Sequence, residues 1–173
     1  MIIASVPSQH AAPLRCFVGV DPGISGAIAF IYDNDRVVFR DMPTEHKRTK
    51  GSQVNAHELS SIFREQLAAH PGVVFQVAVE EVAARPKQGV SSMFSFGESA
   101  GVVRGVISTL RISFEFVTPQ KWKGASGLKG SDKDFARTKL IQARPDLASQ
   151  LARKKDGGRA DAYWIADWLR GKA

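Results

Sequence analysis

The run "VVFQVAVEEV", residues 73 to 82, is apolar almost without interruption and closes on two adjacent glutamates. A strand with one wet face alternates apolar and polar positions, whereas one apolar on both sides must be covered on both. The run therefore predicts a strand buried in the middle of a layered structure. Upstream, "CFVGVDPGISGAIAFIYDNDRVVFRDM" reads as three short strands. Their breaks are the Pro22-Gly23 and Ser25-Gly26 stretch and the Asp33-Asn34-Asp35 turn. A polar, basic loop, "PTEHKRTKGSQ", follows, and Asn55 is placed to cap a helix through "AHELSSIFREQLAAH" that ends at Pro71-Gly72. Downstream come a long helix in "SSMFSFGESAGVVRGVISTL", a strand in "SFEFVTP", a helix in "DKDFARTKLIQAR" and a C-terminal helix. Three strands, then strands alternating with helices, predict an α/β layered sandwich with a mixed sheet.

Two helices carry features that ordinary packing does not explain. In "KKDGGRADAYWIADW", Trp164, Ile165, Trp168 and Leu169 share one face, and Asp161 falls on that same inward face. A carboxylate aimed at a core is costly unless something positive meets it. The helix around residue 100 has a core-facing stripe of Met93, Phe96, Ala100, Val103, Ile107 and Leu110, and a second line of Gly97, Gly101 and Gly105. Glycine inside a helix costs up to about 1 kcal/mol relative to alanine. Three on one line predict close packing, on the chain's own sheet in preference to a dimer seam.

Length and composition bound the rest. The 173 residues suit one domain with a proper core, residues 15–173, preceded by a flexible leader at 1–14. No apolar stretch approaches the roughly 18 residues of a membrane span, and the N-terminus lacks the pattern of a secretory signal. The single cysteine, Cys16, excludes an intrachain disulfide and fits a reducing compartment. The expected location is the cytoplasm of a bacterium or a phage-infected host, or an organellar matrix. The four histidines show no zinc-type spacing. Residues 1–120 hold eleven Lys/Arg and eleven Asp/Glu, whereas residues 121–173 hold thirteen and six, which accounts for the net charge of +7. A local basic surface suits a polyanion, most often nucleic acid, as readily as it suits solvent.

Acidic residues stand where strands end. Asp21 closes "CFVGV", and Glu80 and Glu81 close "VVFQVAV". In α/β sheets, sites are built at such strand ends. Singly, Asp21 could serve a turn and either glutamate could face water; Asp161 adds a third carboxylate at the core boundary. Carboxylates converging without histidine or cysteine point to hard cations, Mg²⁺ or Mn²⁺. Two such ions about 3.5–4 Å apart form a clamp for in-line phosphoryl displacement. With a basic surface, that chemistry is a nuclease's.

"GVDPGISGAIAF", "VAVEEVAARPKQGVSSMFSFG", "FVTPQKWK" and "KKDGGRADAYWIA" resemble, in order, the motifs of RuvC-type Holliday-junction resolvases, especially the phage-like and organellar branch, in the ribonuclease H-like superfamily. The resemblance runs from about Phe17 to Leu169. It implies a ribonuclease H-like three-layer fold with a five-stranded mixed sheet and helices on both faces. It also implies a homodimer and Mg²⁺-dependent paired nicking of four-way junctions, with two ions per site, Mn²⁺ substituting, and no small-molecule cofactor. Asp21 matches the first-strand aspartate, Glu80 the glutamate that ends the fourth strand of the sheet, and Asp161 the acidic residue opening the last helix. Asp156 matches the fourth acidic position, although Gly157 stands where the branch usually has histidine, and a turn or cap role is its alternative. Lys133 matches a basic position near the scissile phosphate, which implies a catalytic role in offsetting developing charge.

Around these positions lie the residues expected to meet DNA. Gln88, Ser91 and Ser92 precede or open a helix whose free amides suit a phosphate, with helix capping by either serine as the alternative. Phe94 lies off the core stripe, within reach of unstacked bases or in a core role elsewhere. Lys121, Lys123 and Lys129 surround Trp122 in a glycine-rich stretch, and Arg153, Lys154, Lys155 and Arg159 flank Asp156. Competing readings are a same-fold nuclease acting on flaps, single strands or other branched DNA, and an idle DNA-binding module, which would gain nothing from carboxylates beside phosphate. A phosphotransferase of the actin–kinase type is a third, but the chain is short for paired domains.

Overall fold

The computed structural model describes residues 13–48, 50–81, 83, 89–130 and 134–173. Five strands form the main sheet: β1 (Arg15–Val20), β2 (Ala27–Tyr32), β3 (Val37–Asp41), β6 (Val74–Glu80) and β7 (Phe114–Val117), in the order β3-β2-β1-β6-β7. The first three form an antiparallel meander, while β6 and β7 run parallel to β1. The sheet is mixed, as the sequence predicts. Asp35 takes the left-handed conformation in the β2–β3 turn, with φ 61°.

Side chains alternate across β1 and fill two cores. Cys16, Val18 and Val20 pack with Leu59 and Phe63 of α1 (Ala56–Ala69) and Val103 and Ile107 of α2 (Val90–Thr109). Phe17 points the other way, toward Trp122 of α3 (Pro119–Ala125), Leu140 of α4 (Phe135–Ala143) and Ile165 of α5 (Gly157–Arg170). Burying each such side chain stabilises the fold by about 1.5–3 kcal/mol. Asn55 caps α1 as expected, its side chain accepting from the Glu58 N–H at 3.0 Å. No helix among the described residues is long and apolar enough to cross a membrane.

The segment read as a polar loop instead forms a small hairpin, β4 (Thr44–His46) with β5 (Ser52–Val54). It buries only Val54, so it carries no alternating apolar pattern. Helix α3 lay in the stretch read as glycine-rich. Its start was written in Thr118, whose hydroxyl accepts from the Lys121 N–H, and in Pro119 at the first turn.

The second departure lies in α2. Only its C-terminal half is packed: Ser99, Val103, Val106 and Ile107 are buried, Leu110 is partly buried, and Met93, Phe96 and Ala100 are half-exposed. The N-terminal half borders an open cleft instead of the sheet. The glycine stripe faces away from both. A Cβ built at Gly97, Gly101 or Gly105 meets nothing within 4 Å among the described residues, which overturns packing on the chain's own sheet.

The close glycine contact lies on the other face of the sheet. A Cβ at Gly19 would stand 2.0 Å from the Ala162 carbonyl oxygen and 2.5 Å from the Ala166 nitrogen. Backbone lies directly on backbone there. Gly19→Ala is expected to cost at least about 2 kcal/mol in chemical denaturation, whereas Gly101→Leu keeps the wild-type circular dichroism spectrum. A stable Gly19→Ala, or an unfolded Gly101→Leu, contradicts this packing.

Candidate active site

The site is assembled by backbone pairing at the ends of two parallel strands. Val20 of β1 is in register with Val79 of β6, so the following residues, Asp21 and Glu80, come out side by side. The Asp21 N–H donates to the Ala27 carbonyl at 3.0 Å, and the Gly23 N–H donates to Asp21 Oδ1 at 3.3 Å. The loop that returns to β2 is tight: a Cβ on Gly26 would stand 2.2 Å from the Asp21 carbonyl oxygen. Gly158, in the first turn of α5, lies against the same loop, where a Cβ would stand 2.5 Å from the Ser25 oxygen. That approach brings Asp161, one turn further along α5, to the strand ends.

The three carboxylates feel one another. Burial first, then the charges of Glu80 and Asp161, push the Asp21 carboxyl up to about 7 from its ordinary 3.8. Burial pushes Asp161 up to about 6; Lys123 opposes the shift and Glu80 adds to it. The indole N–H of Trp122 donates to Glu80 Oε1 at 3.0 Å. Of the two adjacent glutamates, Glu80 is therefore the one coupled to the pair, while Glu81 is exposed. As they stand, no three His, Cys, Asp or Glu side chains among the described residues are gathered tightly enough to hold one ion. The donor chemistry nevertheless fits: an all-oxygen set carrying buried, mutually repelling charge is what a hard divalent cation relieves.

Asp156 stands apart from these three. Its carboxylate is buried and held by Arg153, through the backbone N–H at 2.8 Å and the guanidinium at 2.7 Å. This pairing holds its pKa below the usual range. Arg159 is engaged as well, with both nitrogens of its fork on Asp41 at 2.6 and 2.7 Å and a third on the Gln150 carbonyl.

A cleft of about 730 Å³ opens over Asp21 and Asp161, walled by Ser91, Ser92 and Phe96 of α2 on one side and by Lys154 and Lys155 on the other. Among solved structures, Thermus thermophilus RuvC in complex with a Holliday junction substrate is similar over 93% of this chain and 96% of that one, with a TM-score of 0.51 and 17% identity. The yeast mitochondrial Holliday junction resolvase Ydc2 is similar over 88% of this chain and 77% of that one, with a TM-score of 0.50 and 15% identity. No protein-family model and no curated protein matches the sequence. The chain has the RuvC-type resolvase fold.

Within this resolvase fold the residues expected to meet DNA divide into groups. Ser91 and Ser92 are exposed at the start of α2 and line the cleft; the cap position is Gly89, and no capping hydrogen bond from a side chain is seen there among the described residues. Phe94 is 71% exposed. Lys121 and Lys129 are exposed away from the cleft lining, whereas Lys123 lies close enough to act on Asp21 and Asp161. Gln88 and Lys133 lie outside the described residues. Trp122 was missed as a site residue, since nothing in the sequence distinguishes an indole that packs from one that also donates to a carboxylate.

The raised carboxyls set a pH dependence. Between about 4 and 7 the folded chain holds protons on Asp21 and Asp161 that the unfolded chain, near 3.8, has lost. Their contribution to stability therefore falls as pH rises through that window. The depressed carboxyls Asp41, Asp134, Asp146 and Asp156 act oppositely, but only below about 3.8. In metal-free buffer, the gap in thermal midpoint between Asp21→Asn and wild type is expected to widen in favour of the variant as pH rises through this window. Mg²⁺ is expected to narrow it. A gap independent of pH contradicts the assigned coupling.

Proposed function

We propose that this chain is a Mg²⁺-dependent endonuclease, with Mn²⁺ substituting, that resolves Holliday junctions by paired symmetric nicks and works as a homodimer. The observation that carries the reading is the opening of a cleft with lysines on its rim over Asp21, just past β1, and Asp161 of α5, with Glu80 at the end of β6 close enough to act on both. The likeness of the fold to RuvC in complex with a junction substrate supports the choice of DNA.

Asp21, Glu80 and Asp161 would hold the divalent ions. Such ions, when bound, acidify water and stabilise a departing oxygen. The side chains do the rest. Lys123, beside Asp21 and Asp161, offsets charge that develops on the scissile phosphate. The backbone amides at the start of α2, near Ser91 and Ser92, receive a phosphate of the bound strand. Lys154 and Lys155 hold neighbouring phosphates in a salt-dependent, sequence-independent way. Phe94 is placed to meet unstacked bases. Asp156 is proposed to join the ligand set by exchanging Arg153 for the metal. Lys133, matching the family's basic position near the scissile phosphate, is proposed to share with Lys123 the catalytic role of offsetting charge there, and Gln88 is proposed as a further phosphate contact.

A four-way junction has two-fold symmetry, and two matched nicks need two sites related by the same symmetry. A C2 dimer supplies them through one self-complementary interface. The exposed glycine line on α2 is proposed as the seam, since nothing among the described residues covers it. The folded Gly101→Leu variant then sediments as a monomer.

The carboxylates test the reading. Asp21→Asn, Glu80→Gln and Asp161→Asn are each expected to lower nicking of a synthetic junction by at least about 100-fold, on the order of a lost transition-state interaction. Junction binding stays intact or tightens, because negative charge beside phosphate has been removed. Wild-type nicking by Glu80→Gln, or loss of binding in all three variants, overturns the assignment.

A further inference from the structure

Trp122 is fully buried, yet its indole donates to a carboxylate, Glu80 Oε1, at 3.0 Å. The indole N–H is a donor only, and a buried donor left without a partner is destabilising. Two parallel strands set the geometry of this contact. Val117, the last residue of β7, is in register with Glu80, the last residue of β6, and α3 starts two residues beyond Val117 with Thr118 as its cap. Glu80 and Trp122 are thus fixed to adjacent strand ends. The Lys123 ammonium lies 5.1 Å from the centroid of the Trp122 ring, so the same residue also bears on the cation facing Asp21 and Asp161.

We infer that Trp122 is a positioning residue for the metal ligand Glu80, its N–H fixing the rotation of that carboxylate so that it is held ready for a divalent cation. This inference rests on the reading of the site proposed above. A glutamate carries three rotatable side-chain bonds, and ordering them costs entropy that a free side chain would lose when the ion binds. The hydrogen bond arranges the side chain in advance. Outer partners of metal-binding groups typically change affinity or activity by 10–100-fold.

Trp122→Phe keeps an aromatic ring and removes the donor. Calorimetric titration with Mn²⁺, without DNA, is expected to show binding at least about 10-fold weaker than wild type. Nicking is expected to need at least about 10-fold more Mg²⁺ for half its maximal rate, with metal-free junction binding unchanged. In a Glu80→Gln background the same substitution is expected to leave Mn²⁺ affinity where it was. A second measurement needs no variant to fold: in ¹⁵N NMR of the wild-type protein, the Trp122 indole resonance shifts on Mg²⁺ titration, whereas that of Trp164, bonded to the Ala136 carbonyl, does not. If wild type binds Mn²⁺ and Trp122→Phe binds it equally well, Trp122 only packs and the inference fails alone. An unmoved Trp122 resonance in Mg²⁺-saturated protein has the same meaning. If wild type binds no Mn²⁺, the proposed site and the inference fail together.

Discussion

At Gly19 the backbone of α5 lies directly on the backbone of β1, and the site depends on that contact. Gly19 leaves room for the carbonyl of Ala162 and the nitrogen of Ala166, and Gly158 leaves room for the loop that carries Ser25. Asp161 rides on the helix and Asp21 on the loop, so the depth of this contact sets their separation. A methyl group at either glycine would lift the helix and move one carboxylate away from the others. The glycines that matter are thus those that read as ordinary strand and turn residues, and the conspicuous stripe on α2 faces open space.

Electrostatics divides the acidic residues into two populations. Asp41 and Asp156 each have a dedicated arginine, in Arg159 and Arg153, and these pairs are internally neutral. Asp21 and Asp161 have no arginine partner among the described residues; they have one another, Glu80 and the partial relief of Lys123. Burial raises their pKa values first and the neighbouring carboxylates add to the shift, and buried, uncompensated negative charge invites a cation. The pairing also sorts the basic residues. Arg153 and Arg159 are occupied within the chain, which leaves Lys154 and Lys155 as the rim charges turned toward the cleft.

The sheet, its buried strands and the α1 cap were legible in the sequence, because each rests on local patterning of apolar runs and turn residues. Acidic residues at strand ends marked Asp21 and the Glu80–Glu81 pair, but only the resemblance to the resolvase motifs chose Glu80 between the two. The β4–β5 hairpin was not, since it buries only Val54 and has no apolar alternation to read. The separation of Asp156 from the other acids was not legible either. Spacing along the chain says nothing of the arginine three residues earlier that folds back onto it. The glycine stripe misled because spacing reveals that small residues are aligned, and only the packed structure reveals what faces them. Trp122 was hidden for a related reason: its contact with Glu80 joins positions 42 residues apart.

The central claim is that the three coupled carboxylates serve metal-dependent cleavage of branched DNA. The most direct measurement incubates the wild-type protein with a synthetic four-way junction, a matched flap and a matched linear duplex, each with and without Mg²⁺. The account predicts paired, symmetric nicks in the junction only when Mg²⁺ is present, with the flap and the duplex left largely intact. Cleavage that persists without divalent metal, a flap cut in preference to the junction, or an uncut junction at saturating Mg²⁺ would contradict it.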